Sequence, residues 1–136
     1  MKIYIAILFC AFMLLAGCQN DSKTEQINFL VDQIGEKNIL EKDRVFIVGD
    51  NGCHICYANL KSKLETDTTS HLIYYSSSSK ITYDKTIFKK YLTPDRLTIT
   101  YDSRLIDHIS KNFGFIKSFI ELQIQDQSVI DVVLHE

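Results

Sequence analysis

At 136 residues, with 46% hydrophobic and 24% charged side chains, the chain has the composition of one folded domain, which excludes wholesale disorder. Its formal net charge of −2, from 15 Lys and Arg against 17 Asp and Glu, excludes the strongly basic surface that nucleic-acid binding calls for.

Residues 1–17 stand outside the expected domain. Met1-Lys2 is a minimal positive start, Ile3 to Leu15 is an apolar run of signal-peptide length, and Leu15-Ala16-Gly17 precede Cys18. A spanning helix needs roughly 20 apolar residues and a charged stop, whereas this run ends in small residues, a cysteine and polar chain. The Leu-Ala-Gly-Cys sequence resembles the lipobox of bacterial lipoproteins. That resemblance implies cleavage before Cys18, diacylglycerol on its sulfur and an acyl chain such as palmitate on its new amine. Such an anchor places the mature protein on a membrane of the bacterial cell envelope, outside the cytoplasm. In the enterobacterial sorting pattern an Asp after the lipidated cysteine retains the protein at the inner membrane; Gln19 stands there and leans towards the outer membrane.

Residues 18–26 then read as the lipidated cysteine and a polar tether, since Gln19 to Glu25 lacks periodicity. The domain is expected over residues 27–136. Ile27, Leu30, Val31 and Ile34 recur at helical spacing, with Gly35 as the terminator. Val45 to Val48 is a short apolar run without alternation, the pattern of a central strand covered on both faces. Gly49-Asp50-Asn51-Gly52 is a turn cluster, and from Cys53 the spacing of Cys56, Leu60 and Leu64 predicts a helix ending near Glu65.

His71 to Tyr75 reads as a second strand and Ser76 to Ser79 as a loop. Ile87 to Leu92 gives a short helix closed by Thr93-Pro94-Asp95. Leu97, Ile99 and Tyr101 alternate in a third strand, and Leu105 to Phe113 is a helix stopped by Gly114. Ser118 to Gln125 and Val129 to His135 form a closing antiparallel hairpin, whose turn through Asp126-Gln127-Ser128 has no Gly. Strands separated by helices imply right-handed crossovers and parallel pairing. The expected fold class is therefore α/β: a three-layer sandwich around a central mixed sheet with a C-terminal antiparallel hairpin.

Of the four cysteines, Cys10 belongs to the signal and Cys18 to the lipid, which leaves Cys53 and Cys56 for the folded part. A pair three residues apart closes too small a loop to staple a fold. Cys53 instead opens a helix, where unpaired N–H groups and the helix dipole stabilise a thiolate and can bring a thiol from about 8.5 into the 3.5 to 7.5 range. His54, when protonated, adds to that effect. Cys56 follows one turn inside, which gives an attacking thiol and a resolving thiol.

These residues resemble a thioredoxin-like fold of the TlpA/ResA type, the envelope thiol-disulfide oxidoreductases, over roughly Val45 to Glu136. The resemblance implies that Cys53 attacks a substrate disulfide, that Cys56 resolves the mixed disulfide, and that no cofactor is used. Its partners would be envelope proteins carrying thiols or disulfides. The chain departs from the family pattern at three places. Ile116-Lys117-Ser118-Phe119 stands where a cis-proline is usual, Val45 to Val48 has no acid, and Asn51-Gly52 replaces an aromatic residue.

A second reading stays open beside the enzyme. It is a catalytically degenerate lipoprotein that serves as a binding or adaptor module through a groove near Gly52, His54 and Ser118. Metal binding has little support, because a structural zinc wants four ligands and no second Cys/His pair is present. Asp50 and Asp102 are expected as turn or cap residues, Tyr74, Tyr75 and Tyr101 as packing residues, and His71, His108 and His135 as surface residues.

Overall fold

The computed structural model describes residues 22–35, 38–50, 54–77, 88–90 and 92–136. Residues 1–21, 36–37, 51–53, 78–87 and 91, and with them the expected signal segment and Cys18, lie outside the described residues.

Five strands make one sheet: β1 (Arg44–Gly49), β2 (His71–Tyr75), β3 (Leu97–Thr100), β4 (Ile120–Gln125) and β5 (Ser128–Leu134), in the order β3-β2-β1-β4-β5. β1 pairs in parallel with β2, and β2 with β3, while β4 runs antiparallel to β1 and β5 antiparallel to β4. The parallel core and the closing hairpin are thus both present. The helices are α1 (residues 22–34), α2 (His54–Thr66) and α3 (Arg104–Phe113), with a helical segment at 88–90 and 3-10 turns at Ile39–Glu41 and Pro94–Arg96.

β1 explains the arrangement. Its side chains alternate, so Val45 and Ile47 enter one core cluster and Phe46 and Val48 the other, and all four are at most 2% exposed. The first cluster joins Ile27, Leu30 and Val31 of α1 to Leu105 and Ile109 of α3. The second holds Leu60 and Leu64 of α2 against Leu72 and Tyr74 of β2, with Phe88 and Phe119. Both faces of β1 are therefore covered, which is why its apolar run does not alternate with polar residues. Each fully buried aliphatic or aromatic side chain contributes about 1.5 to 3 kcal/mol to this core.

Several boundaries differ from expectation for local reasons. α1 begins at residue 22, inside the stretch expected as a tether. That polar run contains no helix breaker, and α3 fixes it: His108 Nε2 donates to the Lys23 carbonyl at 3.1 Å. β3 ends at Thr100, and Tyr101, expected as part of the strand and its packing, is 58% exposed where the chain turns into α3. Asp102 stands one residue before the N-cap Ser103, and its Oδ1 accepts from the Arg104 N–H at 3.0 Å at the start of that helix. The Arg104 guanidinium beside it holds the Asp102 carboxyl below the usual range. The last hairpin closes through a two-residue turn, with Asp126 at φ 51° and Gln127 at φ 61°, and Ser128 already belongs to β5. Beyond it a bulge leaves Ile130 without a partner between the pairs Gln123 with Asp131 and Ile124 with Val129. Among the described residues no helix is long and apolar enough to cross a membrane.

Candidate functional site at the carboxyl end of β1

β1 ends at Gly49 and α2 begins at His54, so Asp50 to Cys53 is the whole connection between a buried central strand and a 13-residue helix. Cys53 directly precedes α2 in sequence, and Cys56 is in its first turn. Gly52 and Cys53 lie outside the described residues, and of His54 and Cys56 only the helical backbone is described.

The two ends of the connection are held. On the strand side, the Asp50 N–H donates to the Tyr75 carbonyl at 3.2 Å, continuing the β1–β2 ladder by one rung. The Asp50 carboxylate accepts from the Tyr74 hydroxyl at 2.8 Å through Oδ1, and through Oδ2 from the Ser76 hydroxyl at 2.7 Å and the Ser77 N–H at 2.8 Å. On the helix side, the Tyr57 hydroxyl donates to the Gly49 carbonyl at 2.8 Å, and its ring meets Phe88 edge-on at 5.6 Å. Asp50 is thus more than a turn residue, because it fastens the start of the connection to the end of the neighbouring parallel strand. The signal for this in the sequence is the pairing of an acid just after β1 with hydroxyls in and just after β2.

An open pocket of about 340 Å³ lies at the same end of the sheet. Gly49, Asp50, Tyr75 and Ser77 form one side, and Phe115 to Ser118 the other. Ser118, placed near the motif from sequence alone, therefore shares a pocket with the end of β1. It is only 4% exposed, and its Oγ has no hydrogen-bond partner among the described residues. Ile47, Ile106 and Ile120 make the floor apolar, while Phe115, 83% exposed, stands at the rim. Lys117 is engaged by the Glu136 carboxylate. The described residues contain no cis peptide bond, and Ile116 to Phe119 is all trans.

β1 carries no acid, and the buried carboxylate among the described residues is Glu121 on β4. Glu121 is 5% exposed and accepts from His135 Nε2 at 2.8 Å, with Arg44 Nε at 3.8 Å and Lys63 Nζ at 3.7 Å. It pairs across with Phe46, near the amino end of β1, and Lys63 belongs to the last turns of α2. The network therefore lies towards the end of the sheet opposite Asp50, and it closes the core beneath the end of α2.

All three histidines expected at the surface serve the fold, His108 by holding the Lys23 carbonyl. His71 is buried at 4% exposure with Nε2 at 2.9 Å from the Thr98 hydroxyl. His135 stacks on Phe119 at 4.3 Å. The three histidines His71, His108 and His135 occupy separate sites and converge on nothing.

Comparison with family models, with curated proteins and with solved structures finds no match. The functional reading therefore rests on the residues and their arrangement.

Proposed function

We propose that this protein is a membrane-anchored thiol-disulfide oxidoreductase of thioredoxin-like, TlpA/ResA type. In this reading a three-layer sandwich presents Cys53 and Cys56 to thiols or disulfides of envelope proteins, and a lipid on Cys18 tethers the domain outside the cytoplasm. The observation that carries it is the step from β1 at Gly49 to α2 at His54. The C-x-x-C straddles the start of that helix in sequence, where the unpaired N–H groups of the first turn favour a thiolate. Cys53 would attack a substrate disulfide, expelling one substrate sulfur as a thiolate. Cys56 would then attack the mixed disulfide, releasing the second substrate thiolate and leaving Cys53 and Cys56 oxidised.

Insulin reduction and a dithiol redox titration test this. Turnover with a measurable potential is expected, and Cys53→Ser should abolish both. Equal inactivity of wild type and Cys53→Ser would remove the enzyme reading. The adaptor reading would then stand in its place, supported by the Asp50 to Ser118 pocket and by the segment Ile116 to Phe119 where a cis-proline is usual.

A further inference from the structure

The outward face of α1 carries a single large apolar side chain. Ser22, Glu25, Gln26, Phe29, Asp32 and Gln33 recur at helical spacing and are exposed, Phe29 to 54%. Phe29 is two turns from Ser22, so the two share an azimuth and lie about 10 Å apart along the axis. Cys18 stands four residues before Ser22, and four extended residues reach about 14 Å at most. α1 cannot pivot away from its domain. Ile27, Leu30 and Val31 are buried, the Lys23 carbonyl is held by His108, and Asn28 Oδ1 accepts from the Val129 N–H of β5 at 2.8 Å. A lipid on Cys18 would therefore bring this face, and not an arbitrary one, to the bilayer.

We propose that α1 lies along the membrane with Phe29 among zwitterionic headgroups, the bilayer being the docking partner of this face. The inference rests on the acylation of Cys18 in the reading above. Charge selects the lipid class, because Glu25 and Asp32 share the outward stripe with Phe29 and no Lys or Arg lies on it. Anionic headgroups attract basic segments and repel such a face. One aromatic ring binds a bilayer weakly on its own. Under a short tether its encounter with the surface is intramolecular, so weak affinity suffices.

The sequence contains no Trp, so Phe29→Trp in the full, acylated chain gives a unique fluorophore at an exposed site. Phosphatidylcholine vesicles with brominated acyl chains quench a ring that reaches the bilayer. Tyr101→Trp is the control, since Tyr101 follows β3 at the sheet edge opposite β5, four strand spacings or about 19 Å across. The expected result is at least twofold quenching for Phe29→Trp, little for Tyr101→Trp, and weaker quenching when phosphatidylglycerol is added at low salt. In a chain whose acylation mass spectrometry has verified, absent or equal quenching, or stronger quenching with phosphatidylglycerol, overturns the docking alone. A chain without the acyl mass overturns the anchor and the docking together.

Discussion

The Tyr74 hydroxyl of β2 donates to Oδ1 of Asp50, just past the end of β1, at 2.8 Å, and Ser76 reaches the other carboxylate oxygen at 2.7 Å. Both donors belong to residues that are 0% exposed. Two adjacent parallel strands thus meet on one carboxylate immediately before the chain enters the C-x-x-C.

Removing that carboxylate should be costly, because it takes a charged acceptor away from two buried hydroxyls. Asp50→Ala is expected to lower stability by about 2 to 3 kcal/mol in urea denaturation. Tyr74→Phe removes donor and demand together and should cost about 1 kcal/mol. Equal effects of the two substitutions would show that the carboxylate is not the hub.

Arg96 makes a comparable clasp at the other end of α2. Its guanidinium donates to the Leu64 carbonyl in the last turn of α2 at 3.2 Å, an acceptor that a helix end leaves free, and to the carbonyls of Asp67 at 2.7 Å and Ser70 at 2.9 Å in the connection to β2. The planar fork spreads its donors over Nε and Nη2 in fixed directions that match these separated carbonyls, whereas an ammonium gathers its three donors on one atom. Arg96→Lys should therefore recover little of the roughly 2 kcal/mol expected to be lost in Arg96→Met. Thermal denaturation of the two variants checks this, and full rescue by Lys would contradict it.

Much of this architecture was legible in the sequence. Val45 to Val48 announced a strand buried on both faces, and His71 to Tyr75 has the expected bounds. Leu60 and Leu64 marked the inward face of α2. Local pattern carried these because burial imposes a period on each element. What was not legible depends on partners distant in sequence. The polar run at 22–26 is helical because α3 holds the Lys23 carbonyl, 85 residues away from His108. Asp50 reads as an ordinary turn acid until Tyr74, Ser76 and Ser77 are brought to it. Glu121 reads as the polar phase of an alternating strand, and only the fold surrounds it with Arg44, Lys63 and His135.

The closing turn offers a stabilising substitution. Asp126 and Gln127 both lie in the left-handed region, at φ 51° and 61°, the geometry of a type I′ hairpin that favours Asp-Gly. A side chain at Gln127 costs about 1 kcal/mol there, and glycine removes that cost while gaining some unfolded-state entropy. Gln127→Gly should raise stability by roughly 0.5 kcal/mol. A lower midpoint in urea would mean that the Gln127 side chain contributes more than its backbone costs.

Low pH should act through His71. Burial, the largest cause, lowers its pKa from 6.5 to about 4, and the charges of Lys42 and Arg96 act in the same direction. The folded state therefore keeps the imidazole neutral at pH values where the unfolded chain already binds a proton. Above pH 6.5 neither state is protonated and His71 imposes no penalty. As pH falls from about 6.5 to about 4, the unfolded state takes up the proton first and stability is lost progressively, reaching about 3 kcal/mol once both states are protonated. His71→Gln cannot titrate and preserves a donor for the Thr98 hydroxyl, so it should flatten the stability profile across this window. Its stability at neutral pH should fall by about 1 kcal/mol through imperfect packing. Urea midpoints measured at half-unit steps from pH 7 to pH 4 decide the matter. Parallel slopes for wild type and His71→Gln would assign the acid sensitivity to other groups.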